Sequence, residues 1–173
     1  MTSLSNKTIF ITGSTRGIGR EIALKCAADG ANIIITGKTS KPHPSLEGTL
    51  DSVAQEVIDA GGQALPLQLD VRDENAIQQA IKQAAKHFGG LDILVNNASA
   101  ISLTNTLNTP LKRFDLMMGV NARATFACSQ AAIPFLKQAD NPHILNLAPP
   151  LDMKSKWFKD FVAYTYSKFG MSV

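Results

Sequence analysis

The chain has 173 residues, of which 45% are hydrophobic, a composition typical of one globular domain with a sizeable core. Its 17 basic and 14 acidic residues are spread along the sequence, so the net charge of +3 comes without the basic run that marks a nucleic-acid surface. No segment is apolar over the length of a bilayer, and the start MTSLSNK lacks the apolar region of a signal peptide. We therefore expect a cytoplasmic protein that neither binds nucleic acid nor spans a membrane; for a eukaryotic source, an organelle such as the peroxisome stays open.

The stretch 7–28 has the pattern of a β-strand, a glycine-rich turn and an amphipathic helix. Residues 8–12 are apolar or β-branched, which suits a buried parallel strand. Three glycines follow, at Gly13, Gly17 and Gly19. They suit a turn with positive φ, close approach of a diphosphate, and close packing of the helix on the strand. The N–H groups and dipole of the helix N-terminus favour an anion, so the pattern predicts a phosphate site; a tight turn without a ligand is the alternative.

Later apolar runs continue the alternation of strand and helix. Gly30 and the pair Gly61–Gly62 end helical patterns, Asp73 is typical of a helix N-cap, and the two prolines of KTSKPHPSLEG predict a loop to about residue 45. Because the alternation is regular, we expect an α/β fold, a Rossmann-type doubly wound parallel sheet with helices on both faces, in a single domain over 1–173. The predicted strands are 8–12, 32–36, 64–70, 91–98 and 143–148; the predicted helices are one up to 28, those at 50–58, 74–88, 110–118 and 121–137, and a last one that starts with the run 161–171.

The cysteines and histidines do not form a metal-ligand pattern. Cys26 and Cys128 lie in apolar stretches with helical spacing, so we expect two buried thiols rather than a disulfide. His43, His87 and His143 are far apart in the sequence. We therefore assign no metal.

Five ordered motifs resemble those of the short-chain dehydrogenase/reductase family. They are TGSTRGIG at 12–19, Asp70, NNA at 96–98, Asn121 and YTYSK at 164–168. The segments KTSKPHP, NNASAISLTNT and LNLAPP, with the run around Trp157, resemble the hydroxysteroid dehydrogenase-like branch of this family. The resemblance implies a dinucleotide-binding domain and an oxidoreductase that interconverts an alcohol and a carbonyl on an apolar, lipid-like or steroid-like substrate. It also implies a homodimer or homotetramer assembled through helices around 121–137 and 158–170.

The identity of the cofactor can be argued from charge. The free ribose hydroxyls of NAD(H) are bound by a carboxylate near the end of the second strand, whereas the 2′-phosphate of NADP(H) is bound by cations. That strand is followed by Lys38 without an acid, and Arg16 lies in the glycine turn, so NADP(H) is favoured over NAD(H). The alternative is that both are solvated surface charges. The resemblance assigns Asp70 to the adenine, for which a turn carboxylate is the alternative. The predicted cofactor-binding residues are Gly13, Ser14, Thr15, Arg16, Gly17, Ile18, Gly19, Lys38, Asp70, Val71, Asn97, Ala98 and Lys168.

Tyr164 and Lys168 are the candidate catalytic pair. They lie four residues apart, so a helix presents both side chains on one face. A free phenol titrates at about pH 10, and a nearby ammonium favours the phenolate. Tyr164 then exchanges a proton with the substrate oxygen while the nicotinamide carries the hydride. The resemblance implies that Lys168 also binds the nicotinamide ribose and that Asn121 holds a water of the proton relay. Tyr166 is the rival acid, but it faces elsewhere on the helix.

The turn after the fifth strand departs from the family pattern. Most members carry a serine there that steadies the substrate oxygen, whereas this chain has Ala148, Pro149 and Pro150, which offer no side-chain donor. Losing such a donor costs on the order of a hundredfold in turnover. The candidate replacements are Ser99, which stands where the family has a glycine, Ser102 and Ser155. The departure keeps open a nucleotide-binding scaffold or regulator with little turnover, and after it an assembly role without cofactor.

The chain stops within the last predicted helix. Val173 lies five residues past Lys168. We expect the domain to be truncated after the fifth strand and the start of the following helix, with the natural polypeptide continuing. The fifth strand would then be an apolar sheet edge, which favours aggregation.

Overall fold

The computed structural model describes residues 4–38 and 48–173. Most of the predicted loop to about 45, and His43 within it, lie outside the described residues. Five parallel strands form one sheet in the order β3-β2-β1-β4-β5. The strands are β1 (Thr8–Ile11), β2 (Asn32–Gly37), β3 (Gln63–Gln68), β4 (Ile93–Asn96) and β5 (His143–Asn146).

Two of the helices begin at side-chain caps. The Asp73 carboxylate accepts a hydrogen bond from the Ala76 N–H at 3.1 Å, and Gly89 ends the same helix with φ +80°. Thr49 and Ser52 form a capping box at another helix start. The helices are α1 (Gly17–Ala28), α2 (Leu50–Asp59), α3 (Glu74–Phe88), α4 (Leu111–Met117), α5 (Ala124–Leu136), α6 (Lys156–Lys159) and α7 (Val162–Ser172), with a 3₁₀ turn at Thr106–Asn108 and a π-helical segment at Met118–Arg123.

Two hydrophobic clusters lie on opposite faces of the sheet. Successive strand residues alternate between them, so Ile9 and Ile11 join the cluster of α1 and α2, whereas Phe10 joins the cluster of α3 and α5. The central strands are buried on both sides, as their unbroken apolar sequences require. The predicted doubly wound α/β sheet with helices on both faces is confirmed.

The sequence predicted two separate helices at 110–118 and 121–137. This separation was wrong, because the structure has one continuous helical run from Leu111 to Leu136. No residue between Leu111 and Leu136 adopts positive φ, so helical hydrogen bonding continues through Met118–Arg123 with a wider π turn. Asn121, where the second helix was predicted to begin, lies inside this run and is fully buried. The π segment carries a predicted site residue into the core.

β5 is the edge of the described sheet, as predicted. Within the described ranges it pairs with β4 on one side, and Ile144 and Leu145 are 40% and 48% exposed. The described residues contain no helix of the length and apolar character needed to cross a bilayer.

Candidate active site

The glycine turn between β1 and α1 leaves a helix N-terminus open to an anion. Gly13 and Gly17 adopt φ +66° and +54°, a backbone conformation that is unfavourable for residues with a Cβ atom. Arg16 is the N-cap of α1 but makes no side-chain cap, and the first turn contains no acid, within the part of the chain that the structure describes. The first N–H groups of α1 therefore keep their hydrogen-bonding capacity and the positive end of the helix dipole for a ligand.

Gly19 lets the helix pack directly on the turn. A Cβ at this position would lie 2.5 Å from the Gly13 carbonyl oxygen and would also collide with the Asn97 amide. Asn97 Nδ2 donates to the carbonyls of Thr12 and Gly13, both at 2.9 Å, and so fixes the turn to the end of β4. Any larger residue at position 19 would push α1 away from the sheet.

Ser14 holds β1 to β2 rather than facing a ligand. Its Oγ donates to the Ile11 carbonyl at 3.1 Å and accepts from the Thr36 N–H at 2.9 Å, and the residue is fully buried.

The two cysteines differ in burial. Cys128 is buried, which raises the pKa of its thiol to about 12, whereas Cys26 is only partly buried; neither forms a disulfide among the described residues. The buried-thiol prediction is confirmed for Cys128.

A cleft of about 550 Å³ opens at the carboxyl ends of the strands. It brings together most of the predicted cofactor-binding residues with the candidate catalytic pair, although these come from separate parts of the chain. Ser14, Gly17 and Gly19 are not among the described residues that line it, nor is Asn121. The predicted residues in its lining are Gly13, Thr15, Arg16, Ile18, Lys38, Asp70, Val71, Asn97, Ala98, Tyr164 and Lys168.

One end of this cleft carries a single described carboxylate, which two cations contact. Arg16, Lys38 and Arg72 line it together with Asp70. Arg72 Nη2 donates to Asp70 Oδ2 at 2.6 Å and Arg72 Nε to Oδ1 at 3.0 Å, while Lys38 Nζ lies 3.4 Å from Oδ2. The guanidinium holds the pKa of the Asp70 carboxyl well below its usual range. Sequence reasoning missed Arg72, whose position two residues after the acid was the available signal.

At the other end, α7 presents the candidate catalytic pair. Tyr164 and Lys168 both line the cleft and also a second cavity of about 670 Å³. Lys168 Nζ donates to the Leu147 carbonyl at 2.5 Å and lies 3.2 Å from Met171 Sδ. Burial lowers the pKa of the Lys168 ammonium. Tyr166 instead stacks on Phe114 with a centroid distance of 6.4 Å and is 58% exposed.

Asn121 joins three segments beneath the cleft. Its Oδ1 accepts from the Ala100 N–H at 2.7 Å, and its Nδ2 donates to the Ala100 carbonyl at 2.9 Å and to Ser167 Oγ at 2.8 Å. Ser167 lies on α7 between the two candidate catalytic residues. The buried amide therefore connects the loop after β4 and the π segment to the helix that carries Tyr164.

The second cavity is mostly apolar and is bounded by the altered turn. Trp157 forms part of its wall, where its Nε1 donates to Asp152 Oδ2 at 2.9 Å and its carbonyl accepts from Thr165 Oγ1 at 2.6 Å. The first bond orients the indole and the second fixes the Trp157 backbone, and Trp157 lines the same cavity as Tyr164. The other lining residues are Leu103, Pro149, Pro150, Lys156, Phe161, Lys168 and Phe169.

Among the three hydroxyls considered as replacements for the missing serine, Ser99 lines the cleft that contains Tyr164 and Lys168. Ser102 and Ser155 line neither that cleft nor the apolar cavity within the described residues. Ser172 Oγ donates to the Pro149 carbonyl at 2.7 Å, so the turn is held from α7. The proline pair itself brings no donor to the site.

The residues present fit a dinucleotide. An uncapped helix N-terminus suits the diphosphate, and a cleft lined by glycine and apolar side chains admits the ligand backbone. The cation cluster suits a phosphorylated ribose, and Lys168 suits the ribose at the far end. The arrangement can therefore bind a dinucleotide and hold a proton donor next to an apolar cavity.

Comparison with known proteins shows extensive similarity. The family model described as short chain dehydrogenase matches residues 7–173. The human hydroxysteroid dehydrogenase-like protein 2 is 58% identical over 170 residues, which are 98% of this chain and 41% of the human protein. The rat protein of the same name is 59% identical over 98% of this chain and 32% of its own length. A crystal structure of a short chain dehydrogenase from Mycobacterium thermoresistibile superimposes with a TM-score of 0.95 at 50% identity, over 98% of this chain and 60% of that one. The chain thus spans less than half the length of these two curated relatives.

Proposed function

The chain belongs to the short-chain dehydrogenase family, and from this premise we propose that it is an NADP(H)-dependent oxidoreductase that interconverts an alcohol and a carbonyl compound. In this proposal, residues 1–173 belong to one dinucleotide-binding domain, and the protein acts in the cytoplasm. Its substrate is apolar, lipid-like or steroid-like, in keeping with the resemblance to hydroxysteroid dehydrogenase-like proteins. The observation that carries the proposal is the position of Tyr164 and Lys168, which line both the cation-rich cleft and the apolar cavity.

The proposed chemistry divides between ligand and side chains. Bound NADP(H) would supply or accept the hydride. Tyr164 Oη would give a proton to the substrate oxygen during reduction and take it back during oxidation. Lys168 would exchange its bond to the Leu147 carbonyl for the ribose hydroxyls, and its positive charge would favour the phenolate. By the family resemblance Asn121 would hold a water of the proton relay, while its buried amide fixes the loop after β4 to α7.

Cofactor binding can be tested with the single tryptophan of the chain. Trp157 lies in the wall of the apolar cavity beside Tyr164. Titration with NADPH should change the Trp157 emission and give a lower dissociation constant than titration with NADH. If neither dinucleotide binds, both an oxidoreductase and a nucleotide-binding scaffold are ruled out.

Turnover is tested by the change Tyr164→Phe, which removes one hydroxyl from the site. With NADPH and a panel of medium-chain aldehydes and ketones, we expect the variant to lose at least a hundredfold in kcat, because proton transfer contributes about that much or more. Its affinity for NADPH should stay within about twofold of the unchanged protein, since Tyr164 Oη forms no hydrogen bond with the described residues and its loss leaves no described group unpaired.

The matched control is Tyr166→Phe, which removes the same hydroxyl from an exposed ring on the same helix. It should leave kcat unchanged. Equal losses in the two variants, or full activity in Tyr164→Phe, would remove Tyr164 from its assigned role.

A nucleotide-binding scaffold or regulator is the second candidate function. It is favoured by the turn at Ala148, Pro149 and Pro150, where no side chain can donate a hydrogen bond to a substrate oxygen. NADPH binding without turnover across the substrate panel would support the scaffold and contradict the oxidoreductase.

A further inference from the structure

Arg72 donates hydrogen bonds to both oxygens of Asp70, the carboxylate that the family motif assigns to adenine binding. Its Nε and Nη2 hold both oxygens of Asp70 at 2.6 to 3.2 Å, and its backbone N–H donates to Asp70 Oδ1 at 3.1 Å. No hydrogen bond of Arg72 Nη1 is seen to any residue in the described part of the chain. The fork geometry makes this pair stronger than a contact with a single ammonium.

Lys38 competes for the same carboxylate with a weaker contact. Its Nζ lies 3.4 Å from Asp70 Oδ2, and its side chain is 67% exposed. Lys38 is also the cation proposed to bind the 2′-phosphate of NADP(H). An ammonium drawn to Asp70 is less available to a phosphate, and the Asp70 charge itself repels a phosphate nearby. Whatever satisfies Asp70 therefore affects phosphate binding at Lys38.

We propose that Arg72 is a positioning residue for cofactor choice, which holds both oxygens of Asp70 and so leaves Lys38 to bind the 2′-phosphate of NADP(H). This inference rests on the proposed function. Without Arg72, Lys38 becomes the remaining described cation partner of Asp70, and the uncompensated carboxylate disfavours a phosphorylated ribose. Arg72 thereby affects the choice between NADPH and NADH more than the affinity for dinucleotides in general.

The experiment measures dissociation constants for NADPH and NADH by Trp157 fluorescence in four proteins: the unchanged protein, Arg72→Met, Asp70→Asn, and the double variant. The quantity compared is the ratio of the NADH constant to the NADPH constant. Arg72→Met should lower this ratio about tenfold, because a charge-assisted contact at one phosphate is lost. Adding Asp70→Asn should restore the ratio to within about twofold, since no carboxylate then competes for Lys38. A change in adenine binding affects both dinucleotides alike and cancels in the ratio.

Arg123→Met is the matched control. Arg123 Nη1 donates to the Arg72 carbonyl at 3.2 Å, but the side chain is not among the described residues that line the cleft, so its ratio should not change. Thermal unfolding of each variant identifies any that is merely unfolded, and Arg72→Lys serves as a second variant that should recover part of the ratio.

The outcomes separate this inference from the proposed function. A ratio that Arg72→Met leaves unchanged, or lowers without recovery in the double variant, overturns the inference while dinucleotide binding stands. Absence of binding to either dinucleotide in the unchanged protein overturns both.

Discussion

Lys168 is a cation that the fold holds in a half-buried position. Its ammonium bonds to the Leu147 carbonyl, and burial lowers its pKa from 10.5. The folded protein therefore releases this proton at a lower pH than the unfolded chain does. Between the lowered pKa and 10.5 the unfolded chain holds this proton and the folded protein does not, so the contribution of Lys168 to the free energy of unfolding rises with pH through that window. Below the window both states are protonated, and the buried charge opposes folding.

We expect Lys168→Met to remove this pH dependence. In urea unfolding at several pH values from about 7 to 10.5, the stability of the unchanged protein relative to the variant should rise with pH; the opposing effect of the buried Cys128 thiol is common to both proteins and cancels in this difference. The exposed Lys154, whose side chain is 74% exposed, provides the control Lys154→Met, which should show the same rise relative to Lys168→Met. Parallel stability profiles for Lys168→Met and the unchanged protein would contradict the assigned burial of the ammonium.

At the scale of elements, the π segment places the side chain of Asn121 in the core. The buried amide bonds both backbone groups of Ala100 and the Ser167 hydroxyl. Asn121→Leu leaves the two partly buried backbone groups of Ala100 without this partner and removes the donor to Ser167, whose hydroxyl keeps its bond to the Tyr164 carbonyl; the expected total loss is about 2 kcal/mol or more. Urea unfolding measures the loss, and binding of NADPH should weaken with it because the loop after β4 lines the cleft.

Ser167→Ala is the smaller change at the same junction. It removes one hydroxyl that accepts from Asn121 and donates to the Tyr164 carbonyl at 2.8 Å. The expected loss is about 1 kcal/mol. If Asn121→Leu costs no more than Ser167→Ala, the amide does not hold the three segments together.

Element interiors could be predicted from the sequence, and their ends often could not. The apolar runs of the strands predict burial because side-chain chemistry is local, whereas strand length depends on the neighbouring strand. β3 ends at Gln68, opposite Gly37 at the end of β2, although its sequence pattern extends to Asp70. The single-turn helix α6 is too short to produce a period, and a π turn has no sequence signal of its own.

The same distinction applies to the candidate site. Motif residues such as Tyr164 could be named in advance, because a fixed spacing on one helix determines their common face. The role of Ser14 could not, since its hydroxyl bonds Ile11 and Thr36, and Thr36 lies on the next strand. The role of Arg72 could not be predicted for a related reason, because its pairing with Asp70 depends on where the chain turns after β3.

For the whole molecule, the large exposed apolar side chains mark a candidate surface for the proposed assembly. Leu111 and Phe126 on the long helical run are 78% and 71% exposed, and Tyr166 on α7 is 58% exposed. Leu111 and Tyr166 line one apolar groove, and large contiguous apolar patches are uncommon on the surface of monomers. These helices fall in or beside the segments, 121–137 and 158–170, through which we propose that a homodimer or homotetramer forms.

The change Phe126→Glu tests this assembly, because a carboxylate in an apolar interface must lose its hydration. Light scattering after gel filtration should show an oligomer for the unchanged protein and a smaller species for the variant. Ile58→Glu introduces the same charge at a 51% exposed position on α2, across the sheet from α5, and should leave the mass unchanged. A monomeric unchanged protein, or equal masses for both variants, would exclude this surface as the subunit interface. Dissociation that also weakens NADPH binding would link assembly to the cleft, since α7 contributes both Tyr166 to this surface and Tyr164 to the site.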